Sequence, residues 1–155
     1  MELSHEETIQ YCGFKIADEE FAIPVMDVQE VIKPLVVTPI PLASDEIRGL
    51  INLRGQIVTC LSLRRLFAKE DHLDKNYMNI IVRGNSGLFS LVVDEVTDII
   101  DVNHENVEPA PDTIQPPLKQ YTDKIYKRKE GLVILLNTSS IMEIKKDVDD
   151  ESISS

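Results

Sequence analysis

The sequence predicts an all-β protein made of two small, related β-barrels. Short apolar segments rich in Val, Ile, Phe and Tyr recur along the 155 residues, and their spacing favours a sandwich or barrel over a helical protein. Segments of the first half also reappear in the same order in the second half. Finally, two apolar strands are joined by an Arg-Gly turn, Arg54-Gly55, which is typical of a hairpin.

Eight candidate strands follow from these apolar segments. In chain order they are Ile9–Ile16, Glu20–Ile23, Leu50–Leu53, Gln56–Leu61, Met78–Val82, Leu88–Val93, Lys119–Tyr126 and Leu132–Leu136. The run Asn85-Ser86-Gly87 provides a turn between two of them. Two short helical turns are expected, one over Val25–Ile32 after Pro24 and one over Leu63–Lys69.

The predicted hairpin around Arg54 is the most informative part of the chain. Gly49 and Gly55 bracket its first strand, so Arg54 projects a guanidinium at the hairpin tip. A planar cation with five donors is suited to holding a carboxylate, either its own or a partner's. The segment Gly49–Phe67 carries no catalytic residue type in a usable arrangement, so it indicates recognition and not chemistry.

The internal repeat explains how the strands are grouped. In matched pairs, the repeated segments are Phe21–Ile32 with Phe89–Ile100 (offset 68), Pro39–Pro41 with Pro109–Pro111 (offset 70), and Ile57–Phe67 with Leu132–Met142 (offset 75). An offset that only grows is expected after duplication with small insertions, whereas a general resemblance between β-strands would scatter it. Each half is therefore expected to form a barrel of about five strands, closed so that no edge is exposed.

Charge and hydropathy limit the function classes. The net charge of −11 is concentrated at the ends, where residues 1–20 carry −5 and residues 143–155 carry −3. The tails 1–8 and 145–155 are predicted to be acidic and disordered. Nucleic-acid binding would need a basic face instead. The longest apolar run, Leu132–Leu136, is far too short for membrane insertion, and the acidic N-terminus predicts no secretory signal, hence a cytoplasmic protein.

No catalytic, cofactor or metal site is predicted. Cys12 and Cys60 lie in apolar strands and are expected to be buried, reduced thiols. No nucleophile or second ligand accompanies the histidines, which are His5, His72 and His104. The acidic groups lack the glycine of a calcium loop and are interpreted as solvated: Asp94, Glu95, Asp98 and Asp101, and the run Asp147–Glu151. A small hydrolase is accordingly disfavoured.

Five segments together resemble the CheW family, the coupling proteins of bacterial and archaeal chemotaxis. They are Phe14–Phe21, Asp27–Val31, Gly49–Gly55, Leu91–Val96 and Val133–Leu136, and the resemblance extends from Gln10 to Met142. It implies two intertwined SH3-like, five-stranded barrels in one domain over 10–142. The barrel subdomains would cover about 20–70 and 78–142, with the N-terminal strand shared.

The resemblance also implies a function. A CheW-like chain would be a non-catalytic adaptor that binds the cytoplasmic hairpin tip of chemoreceptors and the regulatory domain of the histidine kinase CheA. It would scaffold the signalling array and associate with membrane receptors only through these partners. A CheW-like adaptor with another output, such as surface motility or gene regulation, is the alternative. A hybrid carrying a receiver domain is disfavoured because the two barrels already use the chain.

By this resemblance, a groove between the barrels receives the receptor tip. The groove residues carried over from the family are Val25, Val28, Glu30, Val31, Arg54, Met78 and Phe89. Branched aliphatic anchors and a polar clamp suit an amphipathic helix, although the valines could equally be ordinary core residues. Glu30 and Arg54 are expected to pair, and the second half is expected to lack an equivalent arginine.

Several positions depart from the family pattern. Ser62 and Asn137 replace acids at strand ends but preserve the capacity to cap a following turn, and Thr59 replaces a proline. The segment Tyr121–Glu130 is strongly basic where the family has an apolar strand. We interpret that segment as a solvated edge strand protected by lysines, with a modified partner surface as the alternative.

Overall fold

The protein is a mostly β structure with eleven strands among its described residues. The computed structural model describes residues 8–71, 76–85 and 87–143, so the predicted tails, apart from Thr8, lie outside it. The strands are β1 (Thr8–Ile16), β2 (Glu19–Pro24), β3 (Val28–Ile32), β4 (Ile47–Leu53), β5 (Gln56–Ser62), β6 (Met78–Gly84), β7 (Gly87–Val93), β8 (Glu95–Asn103), β9 (Val107–Pro109), β10 (Thr122–Arg128) and β11 (Gly131–Leu136). The all-β prediction is confirmed.

The helical parts are short. Helix α1 (Leu63–Leu66) follows β5, and helix α2, described over residues 138–143, follows β11. Three 3-10 turns lie at Val25–Asp27, His104–Asn106 and Leu118–Tyr121. Both helices begin at matched caps, because Ser62 Oγ accepts a hydrogen bond from Arg65 N at 3.3 Å and Asn137 Oδ1 accepts one from Ser140 N at 3.0 Å. The expected capping by Ser62 and Asn137 is confirmed.

One predicted helical turn is wrong over most of its length. Only Val25–Asp27 is helical, and Val28–Ile32 forms strand β3. The strand pairs with β6, and its register shifts between Val28 and Glu30. Such a bulge interrupts the alternation of inward and outward side chains, which explains why apolar residues at positions 28, 31 and 32 imitate helical spacing.

Other differences fall at the edges of the sheets. The predicted strand Lys119–Tyr126 begins as a 3-10 turn and becomes strand β10 only at Thr122. Strand β8 was not predicted because its exposed half is acidic, which is tolerated on an edge strand. Strand β9 has three residues and ends in proline, so it gives no sequence signal.

The strands form two sheets. Sheet 1 has the order β8-β1-β2-β11-β10-β9, and sheet 2 has the order β3-β6-β7-β5-β4. Neighbours are antiparallel except for two parallel pairs, β2 with β11 and β5 with β7. The hydrogen-bonded ladders therefore describe two sheets of six and five strands and not closed barrels.

The two halves of the chain exchange strands. By the offsets of the repeat, strands β1, β2, β3, β4 and β5 correspond in sequence to β6, β7, β8, β10 and β11, respectively. When corresponding strands are exchanged, the order of sheet 2 is the order of the first five strands of sheet 1. Sheet 2 contains three strands of the first half and two of the second, and those five strands of sheet 1 contain two of the first half and three of the second. Sheet membership thus differs from the expected division at 20–70 and 78–142, since β6 and β7 join the sheet of β3, β4 and β5.

Three hydrophobic clusters hold the sheets together. The largest, the central core, lies between the sheets and combines Phe14 and Phe21 of sheet 1 with Ile80 and Leu91 of sheet 2. A smaller cluster covers the other face of each sheet. The middle strands are buried on both faces, which is why β7 is an almost continuous apolar run and not an alternating one.

An ion pair fixes the junction between the sheets. Asp94 links β7 to β8 and accepts two hydrogen bonds from Arg64 on α1. Arg64 Nε donates to Asp94 Oδ1 at 2.9 Å, and Arg64 Nη2 donates to Asp94 Oδ2 at 2.7 Å. Asp94 Oδ2 also accepts a hydrogen bond from Ala17 N in the β1–β2 turn at 2.7 Å. The hydrogen bond to Asp94 raises the pKa of Arg64. Three parts of the chain therefore meet at one carboxylate.

Replacing Asp94 with alanine is expected to lower the free energy of unfolding by about 1–3 kcal/mol. The change leaves a partly buried guanidinium and a backbone N–H without their acceptor. Urea denaturation of Asp94→Ala would measure the loss. Glu19→Gln is the control, because Glu19 pairs with Lys69 at the surface and such pairs contribute about 0–1 kcal/mol. Equal stability of the two variants would contradict this account of the junction.

The two thiols are buried as the sequence predicts, at 4% exposure for Cys12 and 0% for Cys60. Burial raises the pKa of Cys60 to about 11 and also raises that of Cys12. Both thiols therefore remain protonated at neutral pH, and the protonated form is a poor nucleophile. We expect a thiol reagent to label neither cysteine in the folded protein at pH 7.5 and both in denaturant. Rapid native labelling would contradict the placement.

Candidate partner-binding surface

The turn that carries Arg54 has a defined geometry. Strands β4 and β5 are joined by two residues, and Leu53 pairs with Gln56 across them. Arg54 and Gly55 have φ values of +51° and +90°, as a two-residue hairpin turn with positive φ at both positions requires. Asn52 Oδ1 accepts a hydrogen bond from Gly55 N at 2.7 Å and holds the turn. The predicted hairpin is confirmed.

Arg54 forms the expected ion pair with Glu30. Its Nη2 donates a hydrogen bond to Glu30 Oε2, and this hydrogen bond lowers the pKa of Glu30. Because the pKa is lowered, the carboxylate stays charged throughout the neutral range. The side chain of Arg54 remains 66% exposed, so a large part of the guanidinium is available to a partner.

The ion pair joins the two edges of sheet 2. Glu30 lies on β3 and Arg54 at the end of β4, and these strands occupy opposite ends of the strand order. A side-chain contact between them requires the sheet to curl until its edges approach each other. The pair therefore fixes the shape of this surface as well as its charge.

Three predicted valines lie on the same edge of sheet 2 as Glu30. Val25 and Val28 are half-buried and pack against the central core, whereas Val31 is 37% exposed. Val28 and Val31 lie on β3 with Glu30, and Val25 lies in the preceding 3-10 turn. The structure thus brings four of the predicted residues together on one edge, with Arg54 contacting Glu30.

Met78 and Phe89 are placed differently. Met78 is half-buried against the central core, at the opposite end of β6 from Val82, the residue that pairs with Val28. Phe89 also pairs with Val82 but is 4% exposed and belongs to the core. Both side chains pack in or against the central core, and the receptor contact carried over to them stays a prediction.

A cavity of about 280 Å³ opens at the junction of the sheets, next to the predicted groove. We call it the junction cavity. Its lining comes from the 3-10 turn, the β6–β7 hairpin and α2, and comprises Asp27, Arg83, Gly84, Asn85, Phe89, Thr138, Ser139, Met142 and Glu143. Arg83 Nη1 donates hydrogen bonds to the carbonyl oxygens of Met26 and Val28 at 3.0 and 3.2 Å.

Sequence reasoning missed Met26 and Arg83. Met26 is 85% exposed and lies between two of the predicted valines in the sequence, so its position alone was a usable signal. Arg83 gave no signal, because only the pairing of β3 with β6 places it against the 3-10 turn. Arg83 lines the junction cavity, and Met26 lies in the 3-10 turn that forms its rim.

The second half has its own cation–carboxylate pair, which corrects the expectation that no equivalent arginine exists. Asp98 lies at the offset of 68 from Glu30, and Arg128 lies one residue before the counterpart of Arg54. Arg128 Nη1 is 3.4 Å from Asp98 Oδ2, and Arg128 Nη2 donates to Glu20 Oε1 at 2.5 Å. This pair joins β10 to β8, but its arginine is 19% exposed, unlike Arg54.

The basic segment does not form the edge strand that the sequence predicts. Strand β10 pairs with β11 on one side and β9 on the other. Charges on and before this strand are also paired, since Lys127 on β10 contacts Glu108 at 2.7 Å and Lys119 in the preceding 3-10 turn contacts Asp112 at 3.4 Å. Neighbouring acids therefore accompany much of the positive charge along this segment.

Most of the remaining acidic candidates that the structure describes are engaged in contacts within the chain. Asp94 and Asp98 are held by arginines, and Gln10 Nε2 donates to Asp101 Oδ1 at 3.3 Å. Within the ranges that the structure describes, no three His, Cys, Asp or Glu side chains could hold a metal ion. His5, His72 and the acidic run Asp147–Glu151 lie outside those ranges. No helix in them is long and apolar enough to cross a bilayer.

Comparison with known proteins decides the family. The profile of the CheW-like domain matches residues 10–146, which is most of the chain. The chain belongs to the CheW family. The match begins within β1 and ends beyond the described part of α2, so both sheets and the Glu30–Arg54 edge lie inside the CheW-like domain.

Individual relatives agree with the CheW assignment. The chemotaxis protein CheW of Helicobacter pylori is 33% identical over 92% of this chain and 86% of its own length. The chemotaxis protein CheW of Klebsiella aerogenes is 30% identical over 86% of this chain and 81% of its own. Among solved structures, the scaffolding protein CheW from Thermoanaerobacter tengcongensis superimposes with a TM-score of 0.79 at 27% identity. That match covers 88% of this chain and 93% of the other.

Truncating Phe89 is expected to destabilise the fold much more than truncating Val31. Phe89→Ala removes a buried ring and should lower the free energy of unfolding by about 3–5 kcal/mol. Val31→Ala removes a partly exposed side chain and should cost about 1 kcal/mol or less. Thermal or urea unfolding measures both, and a stable Phe89→Ala variant would show that the ring is not a core residue.

Proposed function

We propose that this chain is an adaptor without catalytic activity that couples chemoreceptors to the histidine kinase CheA. The CheW family is a family of non-catalytic adaptors in chemotaxis, and the match to it spans both sheets. The observation that carries the receptor part of the proposal is the edge of sheet 2, where Glu30, paired with Arg54, shares strand β3 with the exposed Val31 and follows the exposed Met26 in the chain.

This edge suits the tip of a receptor hairpin. Val31 and Met26 are exposed, while Val25 and Val28 are half-buried beside them. An amphipathic helix laid against this strip would cover the apolar side chains. Arg54, which keeps most of its surface free, would meet a polar or acidic group of the helix.

The kinase contact is proposed on different grounds. The regulatory domain of CheA is itself CheW-like, and two such domains can pack barrel against barrel. In this chain the two sheets have corresponding strand orders, so a surface of one sheet has a related counterpart on the other. Binding receptor and kinase on separate surfaces would let the chain join receptor arrays without itself entering the membrane.

A reconstitution tests the proposed function. Receptor-bearing membranes and purified CheA are combined with and without this chain, and autophosphorylation of the kinase is measured. Receptor-dependent activation that requires the chain is expected. Absence of binding to both partners would overturn the adaptor proposal, and phosphate release by the chain alone would contradict its lack of catalytic activity.

Arg54→Ala is expected to weaken receptor binding about tenfold, equivalent to ~1.4 kcal/mol, while the free energy of unfolding changes by about 1 kcal/mol or less. The ion pair is largely exposed, so it matters more for the shape and charge of the edge than for folding. Titration against a receptor hairpin fragment measures the effect. Lys129→Ala, the exposed counterpart in the second half, is the control; equal affinities of both variants would contradict the role of Arg54.

A further inference from the structure

The β1–β2 turn is held in a conformation that one of its own residues disfavours. Ile16 pairs with Glu19 across it, so the turn consists of two residues, Ala17 and Asp18. Their φ values are +52° and +74°, in the left-handed region. Aspartate tolerates this region, whereas alanine is disfavoured there because its Cβ crowds the following carbonyl oxygen. The turn therefore stores backbone strain at Ala17.

The hairpin between β4 and β5 has a turn of the same kind but with local support. Its residues Arg54 and Gly55 have φ values of +51° and +90°, and glycine adopts such values without strain. Asn52 of the same hairpin accepts the hydrogen bond from Gly55 N. The β1–β2 turn contains no glycine, and its side-chain support comes from Asp94, 77 residues along the chain from Ala17.

Asp94 supports the β1–β2 turn through two hydrogen bonds. Its Oδ2 accepts from Ala17 N at 2.7 Å, and its backbone N donates to Lys15 O at 3.0 Å. Arg64 holds the carboxylate in place through the two hydrogen bonds described above. Asp94 follows β7 and Arg64 lies on α1 after β5, so a turn of sheet 1 is fixed by residues that follow strands of sheet 2.

The same turn contributes to the lining of a second cavity, on sheet 1, with a volume of about 410 Å³. We call it the sheet 1 cavity. Its lining combines acidic residues of the turn and of β2 with apolar residues of other segments, among them Asp18, Glu19, Glu20, Ile114, Leu132 and Ile134. The conformation of the turn thus affects the shape of this cavity.

We propose that the β1–β2 turn is a strained latch, through which the contact between Arg64 and Asp94 controls the shape of the sheet 1 cavity. While Asp94 accepts the backbone N–H of Ala17, the turn keeps positive φ at both residues. When the carboxylate is withdrawn, Ala17 leaves the left-handed region and Asp18 changes its position in the cavity lining. This inference goes beyond the proposed function, because it concerns transmission between the sheets and requires neither partner.

The strain at Ala17 is informative because such strain persists only where the surrounding structure overrides the local preference, and it is concentrated at functional sites and switch regions. Here the overriding contact comes from Asp94, so the turn responds to whether that contact is present. Relaxation of Ala17 offsets part of the free energy needed to withdraw the carboxylate. The coupling is reciprocal, since a change in the sheet 1 cavity that displaces the turn weakens the contact with Asp94 equally.

The test removes the support and the strain separately. Asp94→Ala withdraws the acceptor and should raise the hydrogen-exchange rates of the Ile16 and Glu19 amides about tenfold. It should also shift the methyl NMR signals of Leu132 and Ile134 in the sheet 1 cavity. Ala17→Gly supplies a residue for which positive φ is not disfavoured. In that background, Asp94→Ala should change the exchange rates by about twofold or less and leave the methyl signals in place.

Arg54→Gly is the matched control, because it places glycine at the corresponding position of the other turn, which Asp94 does not support. It should leave the effect of Asp94→Ala undiminished. If Asp94→Ala does not fold, Arg64→Gln gives the same comparison, since it loosens the carboxylate without removing it.

Two results would overturn the latch. Equal effects of Asp94→Ala with and without Ala17→Gly would show that the carboxylate makes only an ordinary contact. Unshifted methyl signals of Leu132 and Ile134 in Asp94→Ala would contradict control of the sheet 1 cavity. Neither receptor nor kinase enters these measurements, so their outcome is independent of the proposed function.

Discussion

The exchange of strands between the two halves is the constraint on which the rest of the structure depends. Two parallel pairings, β2 with β11 and β5 with β7, place strands of one half beside strands of the other. These pairings put the middle of each sheet between the central core and an outer cluster. The candidate surface inherits this arrangement, since β3 of the first half lies on β6 of the second.

Much of the fold follows from the sequence because the repeat and the hairpin are local signals. The growing offset reveals the duplication, and Arg54-Gly55 reveals the turn. The exchange of strands is not visible in the sequence, because pairing between distant strands leaves no periodic trace. Strands β3 and β8 escape recognition for other reasons: a bulge disturbs the pattern of β3, and exposure of an edge permits acids in β8.

The candidate site is predictable to a similar extent. Family resemblance identifies Glu30 and Arg54, and the geometry of the turn explains why the guanidinium reaches the opposite edge of the sheet. Family resemblance does not distinguish Val31, which is exposed, from Phe89, which is buried. Nor does it identify Arg83, whose position against the 3-10 turn depends on the pairing of β6. Exposure and cross-strand contacts are properties of the assembled sheets.

Strand exchange also has a consequence for how the chain folds during synthesis. The last strand of sheet 2 to leave the ribosome is β7, which ends at Val93, so that sheet can assemble while the rest is still being translated. Sheet 1 begins with β1 but must wait for β11, which ends at Leu136. Its first two strands would therefore pass through synthesis with both edges unpaired until β8 is made and with the edge of β2 unpaired until β11 is made, which exposes them to aggregation.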